Sequence, residues 1–214
     1  MRAVESQRRF SEASRNYLPD SIRLLFIAEA PPAYRVNRYF YFAALRDGDT
    51  LFLEMMKVLY PDETGYSRGS FLPGHSAKQL RQNKTSLLQR FQRDGYYLID
   101  GCEEPMPDGA DTATKRRVMK NALPALEVKV RRLAGDNSLP IVLIGGITYE
   151  ICAEALRKAG GNVLNTGMIN HPAHGGQVHF RSKLAKTLDR ESKTAKFMSH
   201  LSRHGDSRSR RPRV

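Results

Sequence analysis

Cysteine is nearly absent from this chain: Cys102 and Cys152 are the only two in 214 residues. Two thiols cannot build a disulfide framework or a four-thiolate metal site, so a hydrophobic core must carry the fold. No apolar run approaches the ~20 residues that a membrane-spanning helix needs. Residues 1–20 are polar and mixed in charge, without the hydrophobic stretch of a secretory signal, and the expected location is the cytoplasm. There is no G-x-S-x-G elbow and no phosphate-binding glycine loop, which argues against hydrolase and nucleotide-binding chemistries built on those motifs. Internal repeats and a second domain are also missing. Neither a cofactor nor a metal is expected.

Acidic residues are in deficit. Asp and Glu number 22 against 35 Lys and Arg, leaving a net charge of +13 and a pI near 10.0. Such a balance favours polyanionic partners and speeds encounter with them. Part of the excess lies in a tail, where Arg203, Arg208, Arg210, Arg211 and Arg213 stand among Ser, Gly and Pro. That composition reads as a disordered basic segment able to touch DNA or RNA.

Against these absences, 40% hydrophobic and 8% aromatic residues suit a globular domain with a real core. A chain of this length buries roughly 70% of its unfolded surface as one domain. The pattern predicts an N-terminal helix within residues 1–20, a domain over 21–190 and the basic tail over 191–214. Strands are expected at 22–27, 96–99, 140–144 and 162–166. Helices are expected near 42–59, 85–91, 112–133, 148–159 and 180–188, with Thr148 as a cap and Pro124 as a kink or a restart. Residues 62–84 read as loop. Alternating strands and helices imply an α/β fold: a single-domain, three-layer α/β/α sandwich around a central four-stranded parallel sheet.

The most informative segment runs from Ile22 to Pro32, a short apolar run that stops at Glu29 and a rigid Pro31-Pro32. Ligands of open α/β sheets sit at the carboxyl ends of the strands. Asp100 ends the second strand and His171 follows the fourth, so three polar groups far apart in sequence are expected on one sheet edge.

These residues resemble the uracil-DNA glycosylase superfamily. The thermophile-type, iron–sulfur branch opens with G-E-A-P-G after its first strand, similar to Ala28-Glu29-Ala30-Pro31-Pro32. Its third strand ends L-G-A-T-A, similar to Leu143 through Thr148, and its second motif H-P-S resembles His171-Pro172-Ala173. Ala122 to Leu126 resembles the helix before strand three. The likeness covers residues 22–188.

The resemblance implies a three-layer glycosylase fold and a monofunctional DNA glycosylase that excises a modified or damaged pyrimidine, expected as a monomer with DNA as its partner; the alternatives are uracil excision in base-excision repair and a non-catalytic nucleic-acid-binding member of the same fold. Glu29 and His171 would be catalytic, with His174 a weaker candidate. Pro31 and Asp100 would line the base pocket, with Phe42 ten residues beyond the motif, or Phe40, stacking on the base. Gly175, Gly176 and Gln177 would enter the duplex, and Arg181 and Lys183 would hold phosphates. The chain departs from the branch at three points. Only Cys102 falls near a cluster-ligand position and Ala122 stands at another, so no iron–sulfur cluster is expected. Pro32 removes an N–H from the first loop. Asp100 stands where many relatives carry Asn; a carboxylate only accepts hydrogen bonds, which suits the amine of a cytosine better than O4 of uracil. Removal of plain cytosine would destroy the host genome, and a modified cytosine, such as some phage DNAs carry, resolves that conflict.

Overall fold

A computed structural model describes residues 2–33, 38–44, 48–135, 138–173 and 175–190. The basic tail and His174 lie outside these residues. In chain order the elements are α1 (Arg2–Arg15), β1 (Leu24–Ala28), α2 (Thr50–Leu59), α3 (Pro61–Thr64), β2 (Tyr66–Ser67), β3 (Ser70–Phe71), α4 (Ala77–Gln82), α5 (Lys84–Arg93), β4 (Tyr96–Asp100), α6 (Thr112–Ala134), β5 (Pro140–Leu143), α7 (Gly146–Lys158) and β6 (Asn162–Val163). A last helix, α8, spans 177–190. Among the described residues no helix is long and apolar enough to cross a membrane.

The Leu-Leu-Phe-Ile-Ala of β1 is buried at every position, as befits a strand covered on both faces. It pairs in parallel with β4 on one side and β5 on the other, and the sheet order is β4-β1-β5-β6. The chain therefore starts in the middle, moves out to β4, and returns across β1 to β5. Beside β1 the strand order reverses, and an open parallel sheet leaves a crevice at the carboxyl ends of such a switch. The result is a four-stranded parallel sheet flanked by helices, in keeping with a three-layer α/β/α arrangement.

The outer edge of β4 is closed by a side chain. Tyr41 Oη accepts the Leu98 N–H at 2.7 Å and donates to the Leu98 carbonyl at 3.0 Å, filling one rung of an otherwise open ladder. Around it gathers an aromatic cluster: Phe10 of α1 stacks on Tyr39 with ring centroids 4.6 Å apart, and Phe40 meets Phe52 and Phe91 at 5.8 and 5.6 Å. These contacts dock α1 onto the sheet domain.

Several boundaries differ from the sequence expectation. The helix expected from Phe42 begins at Thr50, because Gly48 at φ +73° breaks the helical path. The stretch read as loop holds α3, the β2–β3 hairpin and α4, the last capped by Ser76 Oγ on the Gln79 N–H. Pro124 sits inside one continuous α6. Thr148 is not a cap: Gly145 holds that position and no side chain bonds the helix start. β6 is short because Asn165 replaces its next rung, Oδ1 accepting from the Leu143 N–H at 3.0 Å and Nδ2 donating to the Leu143 carbonyl at 3.3 Å.

Candidate active site

Glu29 leaves β1 one residue past the Ala28–Asp100 pair. Two backbone bonds fix this strand end to its neighbour: Gly101 N–H to Ala28 carbonyl at 2.8 Å and Cys102 N–H to Glu29 carbonyl at 3.0 Å. A Cβ on Gly101 would meet the Ala28 oxygen at 3.2 Å and the Met119 sulfur at 3.1 Å, so only glycine allows this approach without displacement. The Glu29 side chain is 26% exposed, and Lys115 Nζ in the first turn of α6 lies 3.8 Å from its Oε1.

His171 arrives by a different route. Beyond Asn165 the chain runs alongside β5 again, with Ile169 bridged to Ile144 and the Gly145 N–H bonded to the Ile169 carbonyl at 2.7 Å. Two residues later comes His171, exposed, followed by the buried Pro172.

Glu29, Asp100 and His171 all line one cleft of about 450 Å³. Tyr39 and Phe40 contribute to its wall, as do Pro32 and the start of α2 at Thr50 and Phe52. The three polar strand ends anticipated from the sequence thus share a cavity. Phe42 does not join them; it lines a separate groove with Arg9, whose guanidinium stands 5.2 Å from the Phe42 ring centroid. Pro31 is buried and faces a second cavity of about 270 Å³ between α1 and α6, which shares Tyr39, Leu98 and Asp100 with the cleft.

Burial pushes the Asp100 carboxyl up to about 7, with Lys129 pulling weakly the other way. Near neutral pH this group is therefore divided between a protonated form that donates and an ionised form that only accepts. Burial, followed by the charges of Glu29 and Asp100, raises the Cys102 thiol to about 11, so it supplies no thiolate. Among the described residues no group of three or more His, Cys, Asp or Glu side chains is placed to hold a metal.

The residues expected to meet DNA divide into two sets. Gly175, at φ +85°, and Gly176 form the turn after His171, and Gln177 begins α8. Arg181 is engaged inside the protein: its guanidinium bonds the buried Glu54 carboxylate and lies 4.9 Å from the Tyr66 ring centroid. Lys183 Nζ donates to the Met168 carbonyl at 2.9 Å, bracing the loop that leads to His171.

Two further groups near the cleft escape sequence reading. Lys115 is one basic residue among many, and only the topology brings it to Glu29. Asp49, on the cleft wall, is buried with its carboxylate 2.8 Å from Arg81 Nε and 3.4 Å from Lys84 Nζ. Lys84 is fully buried over the Phe52 ring, and that burial lowers its ammonium to about 8 despite the neighbouring Asp49. The network ties the start of α2 to α4 and α5.

The cleft offers a carboxylate beside a cation, an imidazole, aromatic walls and a carboxyl that changes protonation near neutrality. Such a set can stabilise a developing cation, polarise a leaving group and read the edge of a flat polar ring. Comparison with protein-family models, with curated proteins and with solved structures yields no match to this chain.

Proposed function

We propose that this chain is a monofunctional DNA glycosylase of the uracil-DNA glycosylase type, which flips a modified pyrimidine out of DNA and hydrolyses its N-glycosidic bond. The observation that carries the reading is the meeting of Glu29, His171 and Asp100 in one aromatic-walled cleft at a sheet switch point. Cleavage leaves positive charge on the deoxyribose and negative charge on the departing base. The Glu29 carboxylate stabilises the first and orients the attacking water. His171 donates to the base oxygen as charge gathers there. Extruding the base costs a few kcal/mol of stacking, offset by contact with Phe40 and Tyr39. The excess of Lys and Arg supplies the attraction to phosphate.

Asp100 bears on which base is taken. Ionised, it accepts from the N4 amine of a cytosine, and a modified cytosine is the preferred substrate. Protonated, it donates to a carbonyl at the same position, and its elevated pKa favours uracil as a second substrate. The test is incubation of the full chain with DNAs carrying uracil, cytosine or modified cytosines, followed by alkali. Breaks at one base, lost in Glu29→Ala and His171→Ala, support the reading; no breaks with any DNA refute it.

A further inference from the structure

Arg38 is the permanently charged cation among the described residues that line the cleft. It is exposed, so a ligand arriving from solvent meets it, and it shares the cleft with Glu29 and His171. Its position is set by a glycine. A Cβ placed on Gly48 would come within 2.6 Å of Arg38 Cζ and nearer still to Nε, so the end of the arginine lies directly across the bare backbone there. Gly48 stands at φ +73°, a conformation strained for other residues, and the site is doubly reserved for glycine. A guanidinium laid along a surface loses less freedom on binding than one that swings in water.

The other charges about the cleft have partners of their own. The Asp49 carboxylate, next in sequence to Gly48, is buried against Arg81 Nε at 2.8 Å and Lys84 Nζ at 3.4 Å. Lys115 Nζ lies 3.8 Å from Glu29 Oε1. The two cations assigned to phosphate from the sequence are engaged elsewhere: Arg181 bonds the Glu54 carboxylate and Lys183 Nζ the Met168 carbonyl at 2.9 Å. Yet a nucleotide drawn out of a duplex is positioned by contacts to its phosphates. A planar fork of N–H donors that keeps its charge at every working pH matches two phosphate oxygens at once, which an amine does not.

We infer that Arg38 grips a phosphate flanking the extruded nucleotide through its guanidinium, and so sets where the sugar enters the cleft beside Glu29. The inference rests on the glycosylase reading. Arg38 takes no part in bond breaking. It holds the backbone and not the base, so the same grip serves whichever base is taken.

The experiment measures binding of the full chain to a duplex with one tetrahydrofuran abasic analogue, which has no base for the arginine to touch, and to the same duplex intact. Each phosphate flanking the analogue is replaced in turn by a neutral methylphosphonate. The wild type is expected to bind the analogue duplex more tightly than the intact one. It should lose about tenfold to a hundredfold in affinity at one of the two replacements. Arg38→Ala should lose the same factor on the analogue duplex, lower its salt slope by about one charge, and lose nothing further at that methylphosphonate. Arg38→Lys should restore the salt slope and only part of the affinity. Because Arg38 is exposed, both variants should melt near the wild-type temperature; should alanine impair folding, Arg38→Gln takes its place. Losses that simply add across the alanine variant and each methylphosphonate overturn the inference, as does equal binding of the two duplexes by the wild type. Neither result touches the glycosylase reading, which base release decides by itself. Coupling between Arg38 and one phosphate, without base release from any DNA, refutes the glycosylase reading and keeps the phosphate contact. A wild type that binds neither duplex overturns both.

Discussion

Asp100 stands opposite Ala28 at the last rung of the β1–β4 ladder, and the next residue along β1 is Glu29. Strand register, not side-chain contact, therefore sets the spacing of the two carboxyl groups in the cleft. One of them is held close to its titration point at neutral pH.

The first prediction follows from that titration. Burial raises the Asp100 carboxyl from 3.8 to about 7, so between those values the folded chain binds more protons than the unfolded one. Its contribution to stability is full below pH 4 and is lost as pH rises through 7. Asp100→Asn should flatten this part of the profile and raise the melting temperature at pH 8, read by thermal denaturation across pH. Substrate preference should move in parallel. Acid pH should favour a carbonyl-bearing base such as uracil and alkaline pH an amine-bearing cytosine, and the asparagine variant should lose the crossover. A preference unchanged from pH 6 to pH 8 in the wild type would show that Asp100 does not read the base.

Much of the sheet is legible in the sequence because its strands are short, wholly apolar and ended by turn residues. Leu24 to Ala28 and Ile141 to Leu143 admit little else. The parallel direction of the strands follows from alternation of strand and helix and brings Glu29, Asp100 and His171 to one edge, whereas the strand order, and with it the switch point, is visible only in the fold. Other features are invisible at that level. Asn165 mimics a backbone rung with its amide, which ends β6 earlier than the apolar pattern suggests. Phe40 and Phe42 are equivalent in composition, yet the backbone turn between them sends one ring to the cleft and the other toward Arg9. Lys115 and Asp49 reach the site only through tertiary packing, for which local spacing holds no signal.

The second prediction separates Glu29 from its cationic neighbour. The pair is partly exposed and 3.8 Å apart, so its contribution to stability is about 0–1 kcal/mol. Lys115→Gln should therefore leave the melting temperature nearly unchanged and slow base release by no more than about tenfold, as expected for loss of about 1 kcal/mol. Glu29→Gln should cost about 10²–10³ in rate, because it removes charge facing the developing cation. Equal losses in single-turnover assays of the two variants would make Lys115 a direct participant.

The third prediction concerns Arg181, which sequence reading assigns to phosphate. Its side chain is 15% exposed, bonds Glu54 and packs on Tyr66. Glu54 is buried and keeps Lys57 at 2.6 Å as a second partner, so losing the arginine does not leave the carboxylate alone. Arg181→Ala should destabilise the fold by about 3 kcal/mol, at the lower end of the range for breaking a buried ion pair. Binding to duplex DNA should keep its salt dependence, since no phosphate contact is lost. A salt slope that falls by about one charge, with unchanged stability, would return Arg181 to the nucleic-acid interface.

The last prediction tests the closure of the β4 edge. Tyr41 is almost wholly buried, and its hydroxyl serves both the N–H and the carbonyl of Leu98. Tyr41→Phe keeps the ring and its packing against Tyr17, Tyr39 and Phe40 but leaves two buried backbone groups unpaired. One such group costs about 1–3 kcal/mol, so the variant should unfold at a lower denaturant midpoint with the slope unchanged. Because Leu98 and Asp100 are two residues apart on the same strand, freeing this rung should also quicken amide exchange at Leu98 itself. Exchange at Val142 on β5, whose neighbours are intact, should rise only by the amount that global stability falls. An unshifted midpoint would mean that water reaches the Leu98 backbone as readily as the Tyr41 hydroxyl does, and that the edge of β4 is open.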